Sequence, residues 1–364
     1  MSILLFVIIL AFLIFVHELG HFLVAKKTGI RVDEFGIGFP PRLWSKKVGE
    51  TVYSINAFPV GGFVKIFGEN PDEESIRGKD SARSFVHKPK WAQAAVVCAG
   101  VAGNLIFAWI LLSAGFMAGV PYSVDDSWYG ARVENAELTI ISVAEHSPAF
   151  SAGLKSGDHI LSLAAERDIL ENPEMATVQK FIDTEEELML TYRRGGEVKK
   201  TIVRPEGGLV DGRRAIGISM DMAGTLTLPV HKAIIAGFTT TISLTGATIT
   251  GLLDFFKQMV SSDADFSDVS GPVGIVRIVS DASRLGLVHL ISLTALISIN
   301  LAVINLFPFP ALDGGRLFFI IIETIKGSPL KPVITNTANS IGFILLILLM
   351  VVITYSDILK IVTG

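Results

Sequence analysis

The sequence is poor in cysteine and in charge, and both shortages narrow the class of protein. Cys98 is the single cysteine among 364 residues, so an intramolecular disulfide framework is excluded, and its apolar neighbours predict a buried thiol. Only 18% of the residues are charged whereas 50% are hydrophobic, and the mean hydropathy is +0.54. A soluble chain has about 25% charged residues. The composition therefore argues against a wholly soluble protein, and the small net charge of -4 indicates no nucleic-acid partner.

The first apolar run lacks the basic start and the small-residue cleavage site of a signal peptide. Ile3 to Ala25 is instead long enough to cross a hydrocarbon core of about 30 Å, and Lys26 and Lys27 end it. The run also carries two histidines and a glutamate, for which a signal peptide has no use. We therefore expect a retained transmembrane helix in residues 1–27.

Three later apolar runs each predict a further transmembrane helix. They lie in residues 91–120, 285–325 and 326–364. The first of them is rich in alanine and glycine, which allow helices to approach closely inside lipid. The predicted fold is thus a polytopic α-helical membrane protein with about four transmembrane helices.

The polar segment 28–90 is expected to lie in the cytoplasm. Residues 26–90 contain twelve Lys or Arg, and such an excess marks cytoplasmic loops. Tyr53 to Asn56 and Gly62 to Ile66 predict short strands on either side of a turn at Pro59-Val60-Gly61. The N-terminus and residues 121–222 then lie on the extracytoplasmic side of the membrane.

Residues 121–222 predict a small, independent β-rich domain, because charges return there and hydrophobic residues alternate over short runs. The predicted strands are Leu138–Val143, Ile160–Leu163, Glu187–Tyr192 and Val198–Val203. The next segment, 223–284, is ambiguous. Ala233 to Leu253 carries no charge over 21 residues and could be a span, yet it is rich in Thr, Ser and Gly.

The sequence His17-Glu18-Leu19-Gly20-His21 is an H-E-x-x-H motif inside the first predicted membrane helix. Histidines at i and i+4 lie on one helical face and can bind one metal ion. Glu18 lies beside them and can take a proton from water that a zinc ion activates. Ionisable groups at membrane depth are costly unless they are paired or functional. The alternative is a set of polar residues that line a helix interface.

Asp313 is the candidate for the third protein ligand that a catalytic zinc site has. It follows an apolar run, on backbone interrupted by Pro308 and Pro310 and followed by two glycines. Irregular backbone of this kind is tolerated at membrane depth where it is buried or lines a cavity. The alternative is an ordinary turn in which the aspartate caps a helix.

Depth in the membrane agrees with a shared ion. His17 lies nine residues before Lys26, roughly 13 Å from the cytoplasmic face. Asp313 follows a run that enters from outside near Leu285, which also places it toward the cytoplasm. If Ala233–Leu253 crossed the membrane, Asp313 would emerge on the far side. A shared ion therefore predicts four spans, with Ala233–Leu253 outside the lipid or at its interface.

These motifs together resemble the site-two protease family of intramembrane zinc metalloproteases, in particular its bacterial regulator-of-sigma-E protease branch. The resemblance covers nearly the whole chain and keeps the order of the motifs. His17 to His21 matches the first metal motif, and Asn305 to Gly315 matches N-x-x-P-x-P-x-L-D-G. Ala99 to Asn104 is similar to a third motif, A-G-P-x-x-N, but lacks its proline.

The resemblance implies roles for individual residues. His17, His21 and Asp313 would bind Zn²⁺, and Glu18 would be the general base. Asn305 would orient the substrate backbone or stabilise the oxyanion. Further substrate contacts would come from Asn104, for which helix packing is an equal alternative, and from a membrane-associated β-loop whose edge could pair with an unwound substrate. The loop residues are Gly61, Gly62, Phe63 and Val64, and without the resemblance a cytoplasmic hairpin is the favoured alternative.

The resemblance also implies partners and location. Residues 121–222 resemble a PDZ domain, which would bind a peptide or exclude bulky substrates; the sequence favours neither. Arg214 to Ile218 would supply its groove strand. The expected substrate is a single-pass membrane protein, either an anti-sigma factor or a signal-peptide remnant. The expected location is the bacterial cytoplasmic membrane, with the lipid bilayer as the surrounding partner.

The leading hypothesis is hydrolysis of a peptide bond in or beside the transmembrane segment of such a substrate. A membrane-tethered PDZ adaptor with a structural or vestigial metal site is the alternative, and the intact Glu18 disfavours it because a structural site needs no general base. A metal transporter is a third, weaker hypothesis, since the other predicted spans lack a second set of metal-ligand residues.

Overall fold

The computed structural model describes residues 2–70, 73–124, 133–144, 146–165, 168–171, 173–210, 213–260 and 271–363. Contacts divide the chain into two compact units. The first unit comprises Met1–Ser113, Ile234–Ser283 and Leu290–Gly364; the second comprises Ala114–Ala233 and Arg284–His289.

The described residues form ten α-helices, together with two short 3₁₀ turns at Ser81–Arg83 and Phe85–His87. In chain order the helices are α1 (Ser2–Lys27), α2 (Glu73–Arg77), α3 (Lys90–Ala118), α4 (Pro148–Ser151), α5 (Met175–Thr184), α6 (Val230–Val260), α7 (Pro272–Leu285), α8 (Leu287–Leu306), α9 (Asp313–Lys326) and α10 (Pro332–Thr363).

Eleven β-strands are described as well. They are β1 (Val32–Val48), β2 (Thr51–Ile66), β3 (Val120–Ser123), β4 (Glu134–Val143), β5 (His159–Ala164), β6 (Ile169–Glu171), β7 (Leu188–Arg194), β8 (Glu197–Val203), β9 (Glu206–Val210), β10 (Arg213–Ala215) and β11 (Ile218–Leu226).

Helices α1 and α3 pack closely in the first unit because glycines line their contact. A Cβ at Gly20 would collide with the backbone of Ala99, and a Cβ at Gly103 would come within 3.0 Å of the Val16 carbonyl oxygen. Helix α8 joins this pair through Ser298, whose hydroxyl donates to the Asn104 carbonyl oxygen at 2.8 Å. The small residues of the second predicted span thus bring α1, α3 and α8 into contact.

Helix α6 packs along α3 and α8 in the first unit. Trp109 Nε1 donates to the Ile234 carbonyl oxygen at 2.9 Å, and the Phe256 ring stacks on Phe307 with centroids 4.8 Å apart. Between these two contacts along α6, Thr248 Oγ1 donates a hydrogen bond to the Asn300 side-chain oxygen at 3.2 Å. These contacts orient α6 in the same direction as α8.

This packing changes the interpretation of Ala233–Leu253, which we expected outside the lipid or at the interface. Helix α6 runs in the same direction as α8 and packs beside it. Five described helices are long and apolar enough to span a membrane, including the one at Val230–Gln258. The number of spans therefore stays a prediction.

Helix α7 forms hydrogen bonds with the first and the last helix of the first unit, which we call the helical unit. The backbone N–H groups of Gly271 and Gly274 donate to the buried carboxylate of Asp357 on α10, at 3.1 and 2.8 Å. Ser2 Oγ at the start of α1 donates to Ser280 Oγ at 2.9 Å. A Cβ at Gly271 would meet Asp357, which explains the glycine just before α7.

The β-loop is larger than the sequence predicted. The two expected short strands, Tyr53–Asn56 and Gly62–Ile66, are halves of the single long strand β2, and β1 was not predicted. The first half of β1 pairs with both halves of β2, so Phe35 lies opposite Val64 on one side and Tyr53 on the other. This arrangement leaves the 62–66 half of β2 on the side facing α1.

The second unit is built on a sheet with the order β3-β11-β4-β5-β7-β8, with β6 paired to β5. Its core contains Leu138, Leu163 and Leu190 from the sheet, with Val178 and Ile182 from α5. The four predicted strands coincide with β4, β5, β7 and β8 to within a few residues. The predicted groove strand 214–218 falls across β10 and the start of β11, with Gly217 between them. The predicted domain 121–222 lies inside this unit, and the domain boundaries stay predictions.

Candidate metal centre

Helix α1 places His17 and His21 one turn apart on the same face. Both imidazoles are buried, each with 7% of the residue exposed, in a helix whose other residues up to Lys26 are nearly all apolar. Their Nε2 atoms are 3.1 Å apart. Two nitrogen donors therefore converge at one point in an otherwise apolar setting.

Asp313 begins α9, directly after the irregular segment that follows α8. Its Oδ2 lies 2.9 Å from His17 Nε2 and 3.2 Å from His21 Nε2. Gly314 and Gly315 are needed for this turn, since a Cβ at either would collide with backbone carbonyl groups of residues 306–310. The broken backbone thus carries the carboxylate to the two histidines, and the N-cap position of α9 is taken by Leu312, not by Asp313.

These three side chains fit a zinc ion. Their donor atoms lie within 4.8 Å of one another, and two imidazoles with one carboxylate form a known catalytic zinc set. His21 Nδ1 lies 2.8 Å from the Val96 carbonyl oxygen. This hydrogen bond leaves Nε2 free for a metal, as is usual for histidine ligands.

The buried side chain of Asn104 independently supports the fit of a zinc ion to these residues. Its side chain is buried on α3, with Nδ2 3.4 Å from His17 Nδ1, and its Oδ1 has no hydrogen-bond partner among the described residues. A histidine that binds metal through Nε2 carries its proton on Nδ1 and needs an acceptor. Turning the amide over brings Oδ1 to that nitrogen and satisfies both groups.

Gly100 makes room for the two imidazoles. A Cβ at this position would lie 2.6 Å from His21 Cε1 and 2.8 Å from His17 Cε1. Those separations are shorter than any carbon–carbon contact that a packed core accepts. The absence of a side chain on α3 therefore leaves the space that the histidine rings occupy.

Glu18 is half-buried beside the histidines and contacts the β-loop. Its Oε2 accepts a hydrogen bond from the Val64 backbone N–H at 3.0 Å. Gly61 and Gly62 allow this approach, because Cβ atoms there would meet Ile14 at 3.1 Å and the Gly36 carbonyl oxygen at 3.0 Å. The general-base candidate and the edge of β2 are therefore in direct contact.

A cavity of about 180 Å³ lies at the centre, and we call it the site cavity. Glu18, His21 and Asp313 line it together with Phe63 and Val64 of the β-loop. Asn305, another of the predicted site residues, lies half-buried in the last turn of α8 and is not among the residues that line the site cavity. No hydrogen bond among the described residues connects it to the metal ligands.

Several residues that build the site escaped the sequence analysis. Val96 contributes only a backbone carbonyl, which no pattern of side chains reveals. Gly100 was considered only as one of the small residues that allow helix packing. It lies one helical turn before Asn104 and therefore on the same face of α3. That shared face is the signal that could have placed Gly100 beside the histidines. Glu69 and Arg316 also escaped notice, although Arg316 follows the predicted ligand Asp313 by three residues.

Comparison with known proteins places the whole chain in one sequence family. The model of peptidase family M50 matches residues 5–349. The regulator of sigma-W protease RasP of Bacillus subtilis is 29% identical over 429 aligned positions, covering 97% of each chain. The zinc metalloprotease RasP of Geobacillus kaustophilus is also 29% identical, with 99% of this chain and 98% of that protein covered.

A further relative comes from Clostridium acetobutylicum and is named as a zinc metalloprotease. It is 33% identical over 353 residues, covering 96% of both proteins. Among solved structures, the PDZ domain of the SdrC-like protein from Listeria monocytogenes matches 24% of this chain and 92% of that domain, at 17% identity. Its TM-score of 0.21 is too low to support a statement about the fold of residues 121–222.

Proposed function

This chain belongs to peptidase family M50, and on that basis we propose that His17, His21 and Asp313 hold its catalytic zinc ion. The chain is an intramembrane zinc metalloprotease of regulated intramembrane proteolysis and a multi-pass protein of the bacterial inner membrane. The observation that carries the assignment of the ligands is the convergence of His17 Nε2, His21 Nε2 and Asp313 Oδ2 inside the helical unit.

When bound, a zinc ion supplies a Lewis acid that activates water and polarises the scissile carbonyl. His17 and His21 would hold the ion through ring nitrogens, and Asp313 would hold it through its carboxylate. Val96 fixes the orientation of the His21 imidazole, and Asn104 that of the His17 imidazole, each through a contact with the Nδ1 atom of the ring. Phe63 and Val97 line the site cavity beside these ligands.

Glu18 acts as the general base. Its carboxylate lines the site cavity beside His21 and Asp313, within reach of a water molecule between them. It takes a proton from this water as the peptide carbonyl is attacked, and it then passes the proton to the leaving amine. Asn305 completes the proposed machinery by orienting the substrate backbone or stabilising the oxyanion.

The edge of β2 is the proposed binding site for the substrate backbone. A transmembrane helix must lose its internal hydrogen bonds before a peptide bond is exposed, and an added strand replaces them. Gly61, Gly62, Phe63 and Val64 lie on the half of β2 that faces α1. A substrate strand paired there would pass the site cavity, beside Glu18.

The proposed substrate is a single-pass membrane protein of the anti-sigma-factor type or a signal-peptide remnant. The name of the Bacillus subtilis relative, regulator of sigma-W protease, supports the first of these. We place the cut toward the cytoplasmic face, with residues 28–90 in the cytoplasm and the N-terminus and residues 121–222 outside. The unit containing residues 121–222 is proposed to be a PDZ domain that binds peptide or excludes bulky substrates.

The test is cleavage of a reporter membrane protein by the purified full chain. We expect Glu18→Gln to retain one zinc ion per chain and to lose cleavage by at least about a hundredfold, as general acid–base catalysis contributes on this scale. His17→Ala should lose both zinc and cleavage. Glu187→Gln, an exposed acid in the second unit, is the control for removal of a charge. Unchanged cleavage by Glu18→Gln would disprove the assigned role.

A further inference from the structure

A second cavity, of about 290 Å³, lies next to the site cavity in the helical unit. Its lining comes from the start of α3, from α9 and from the first residues of α10. His87, Pro332 and Asn336 on its rim are exposed, so the second cavity opens at the molecular surface. Glu69 and Phe85 line both cavities. These two side chains form the wall between them.

Arg316 holds this wall in place. Its Nη1 donates to Glu69 Oε1 at 2.6 Å, and its Nη2 donates to the Glu69 backbone carbonyl oxygen. The guanidinium also lies over the Phe85 ring, 4.5 Å from the centroid. One cation therefore contacts both residues of the wall, through an ion pair and a cation–π interaction.

Arg316 also belongs to the helix that carries a metal ligand. It follows Asp313 by three residues on α9, so both side chains project from the same side of the first turn. A movement of the wall is thus coupled to the segment that places the Asp313 carboxylate. Arg316 itself lines the second cavity, so its contacts with Glu69 and Phe85 are made from that side of the wall.

The chemistry of peptide hydrolysis requires a passage at this point. Each turnover consumes one water molecule and leaves two peptide fragments, one of which has to leave on the polar side. The site cavity has a volume of about 180 Å³, which is too small to store a released fragment of several residues. A polar route to the surface is therefore needed, and the second cavity lies directly behind the wall.

We propose that Arg316 and Glu69 form a gate between the site cavity and the second cavity, and that the gate controls the passage of water and of the cut peptide end. The proposal rests on the proposed function of the site cavity. The two side chains are 25% and 33% exposed, so water can replace their mutual hydrogen bonds. Rotation of the Arg316 side chain alone releases Glu69 and Phe85 together and joins the two cavities.

The test measures access to the site cavity and needs no proteolysis. In full-length protein carrying Glu18→Gln and Cys98→Ser, Val97→Cys places a thiol in the site cavity. The probe is a membrane-impermeant, sulfonate-bearing methanethiosulfonate added to inverted or right-side-out vesicles. We expect Arg316→Gln and, separately, Glu69→Gln to raise the rate of Val97→Cys modification by about tenfold, since a charge-assisted hydrogen bond is lost in each.

Asn336→Cys on the rim of the second cavity is the matched control, and its rate should not change with Arg316→Gln. Arg316→Lys, which keeps the charge, should return the Val97→Cys rate toward that of the parent. Equal rates for Val97→Cys with and without Arg316, in a protein that keeps its zinc, would overturn the gate. Failure of the proposed function appears differently, as absence of cleavage by the chain with Glu18 intact, whatever the modification rates.

Discussion

His17, Glu18 and His21 are three ionisable side chains in a helix that is otherwise apolar until Lys26. Such groups are costly in a membrane helix unless partners satisfy them. The structure supplies these partners individually: Asp313 for both histidines, Val96 for His21, and the Val64 N–H for Glu18. The cost of burying each group is therefore offset by contacts that come from three different elements, α9, α3 and β2.

Gly100 gives the sharpest prediction at the residue scale. Gly100→Ala adds a Cβ within 2.6 Å of His21 Cε1, so the rings must move and the ligand atoms separate. We expect zinc affinity to fall by about 10- to 100-fold, as for other changes that misorient a metal ligand, with cleavage falling in parallel. Competition with a chelator of known affinity measures the loss.

Gly246→Ala is the matched control for this substitution, because a Cβ on α6 at that position meets no atom within 4 Å. It should keep wild-type zinc affinity and cleavage. Equal zinc affinities for Gly100→Ala and Gly246→Ala would show that the space beside the histidines is not limiting.

At the scale of elements, the contact of β2 with α1 connects substrate binding to the general base. Val64→Pro removes the N–H that donates to Glu18 and prevents pairing at this point of the edge. We expect cleavage of a membrane substrate to fall by about tenfold or more, because strand pairing depends on main-chain hydrogen bonds, while zinc content stays unchanged. Val64→Leu keeps the N–H and should cleave normally. Normal cleavage by Val64→Pro would remove the edge of β2 from the mechanism.

An ion pair connects the turn between β1 and β2 to the end of α1. Glu50 accepts hydrogen bonds from Arg83 and Lys26, each shorter than 3 Å, and these bonds lower the pKa of Glu50 to about 2. Because the folded pKa lies below the ordinary value of 4.5, the stabilisation is present in full above pH 4.5. It is lost as the pH falls toward 2.

Glu50→Gln should therefore weaken the β1–β2 turn at neutral pH by about 1 kcal/mol, since solvent screens a partly exposed cluster. The measurement is amide hydrogen exchange at residues 48–52, compared between the wild type and Glu50→Gln at each pH. We expect roughly fivefold faster exchange in the variant at pH 7, and a ratio approaching one near pH 2. A ratio that does not depend on pH would contradict the ionic origin of the effect.

At the scale of the whole molecule, the excess of Lys and Arg in residues 26–90 predicts the orientation in the membrane. In a Cys98→Ser background, Lys47→Cys should react with an impermeant thiol reagent only in inverted vesicles. Lys155→Cys, in the second unit, should react only in right-side-out vesicles. Both positions are exposed, so a lack of reaction cannot come from burial. Reaction of both from one side would refute the predicted topology.

The sequence by itself determined the nature of the site, because its main signals are local. Two histidines at i and i+4 share a face in any helix, and their apolar neighbours place that helix in lipid. Asp313 was identified from broken backbone after an apolar run, and the strands β4, β5, β7 and β8 from alternating hydrophobic residues. The apolar runs likewise predicted the positions of α1, α3, α8 and α10 to within a few residues at most ends.

Only the tertiary structure decided how these parts meet. Strand β1 was not predicted from the sequence, because Gly36, Gly38 and the two prolines within it are typical of turns. Its strand conformation depends on pairing with both halves of β2. The packing of α6, the space at Gly100 and the wall held by Arg316 depend on residues far apart in the chain. Each is decided by close packing and by long-range hydrogen bonds, which a one-dimensional pattern does not record.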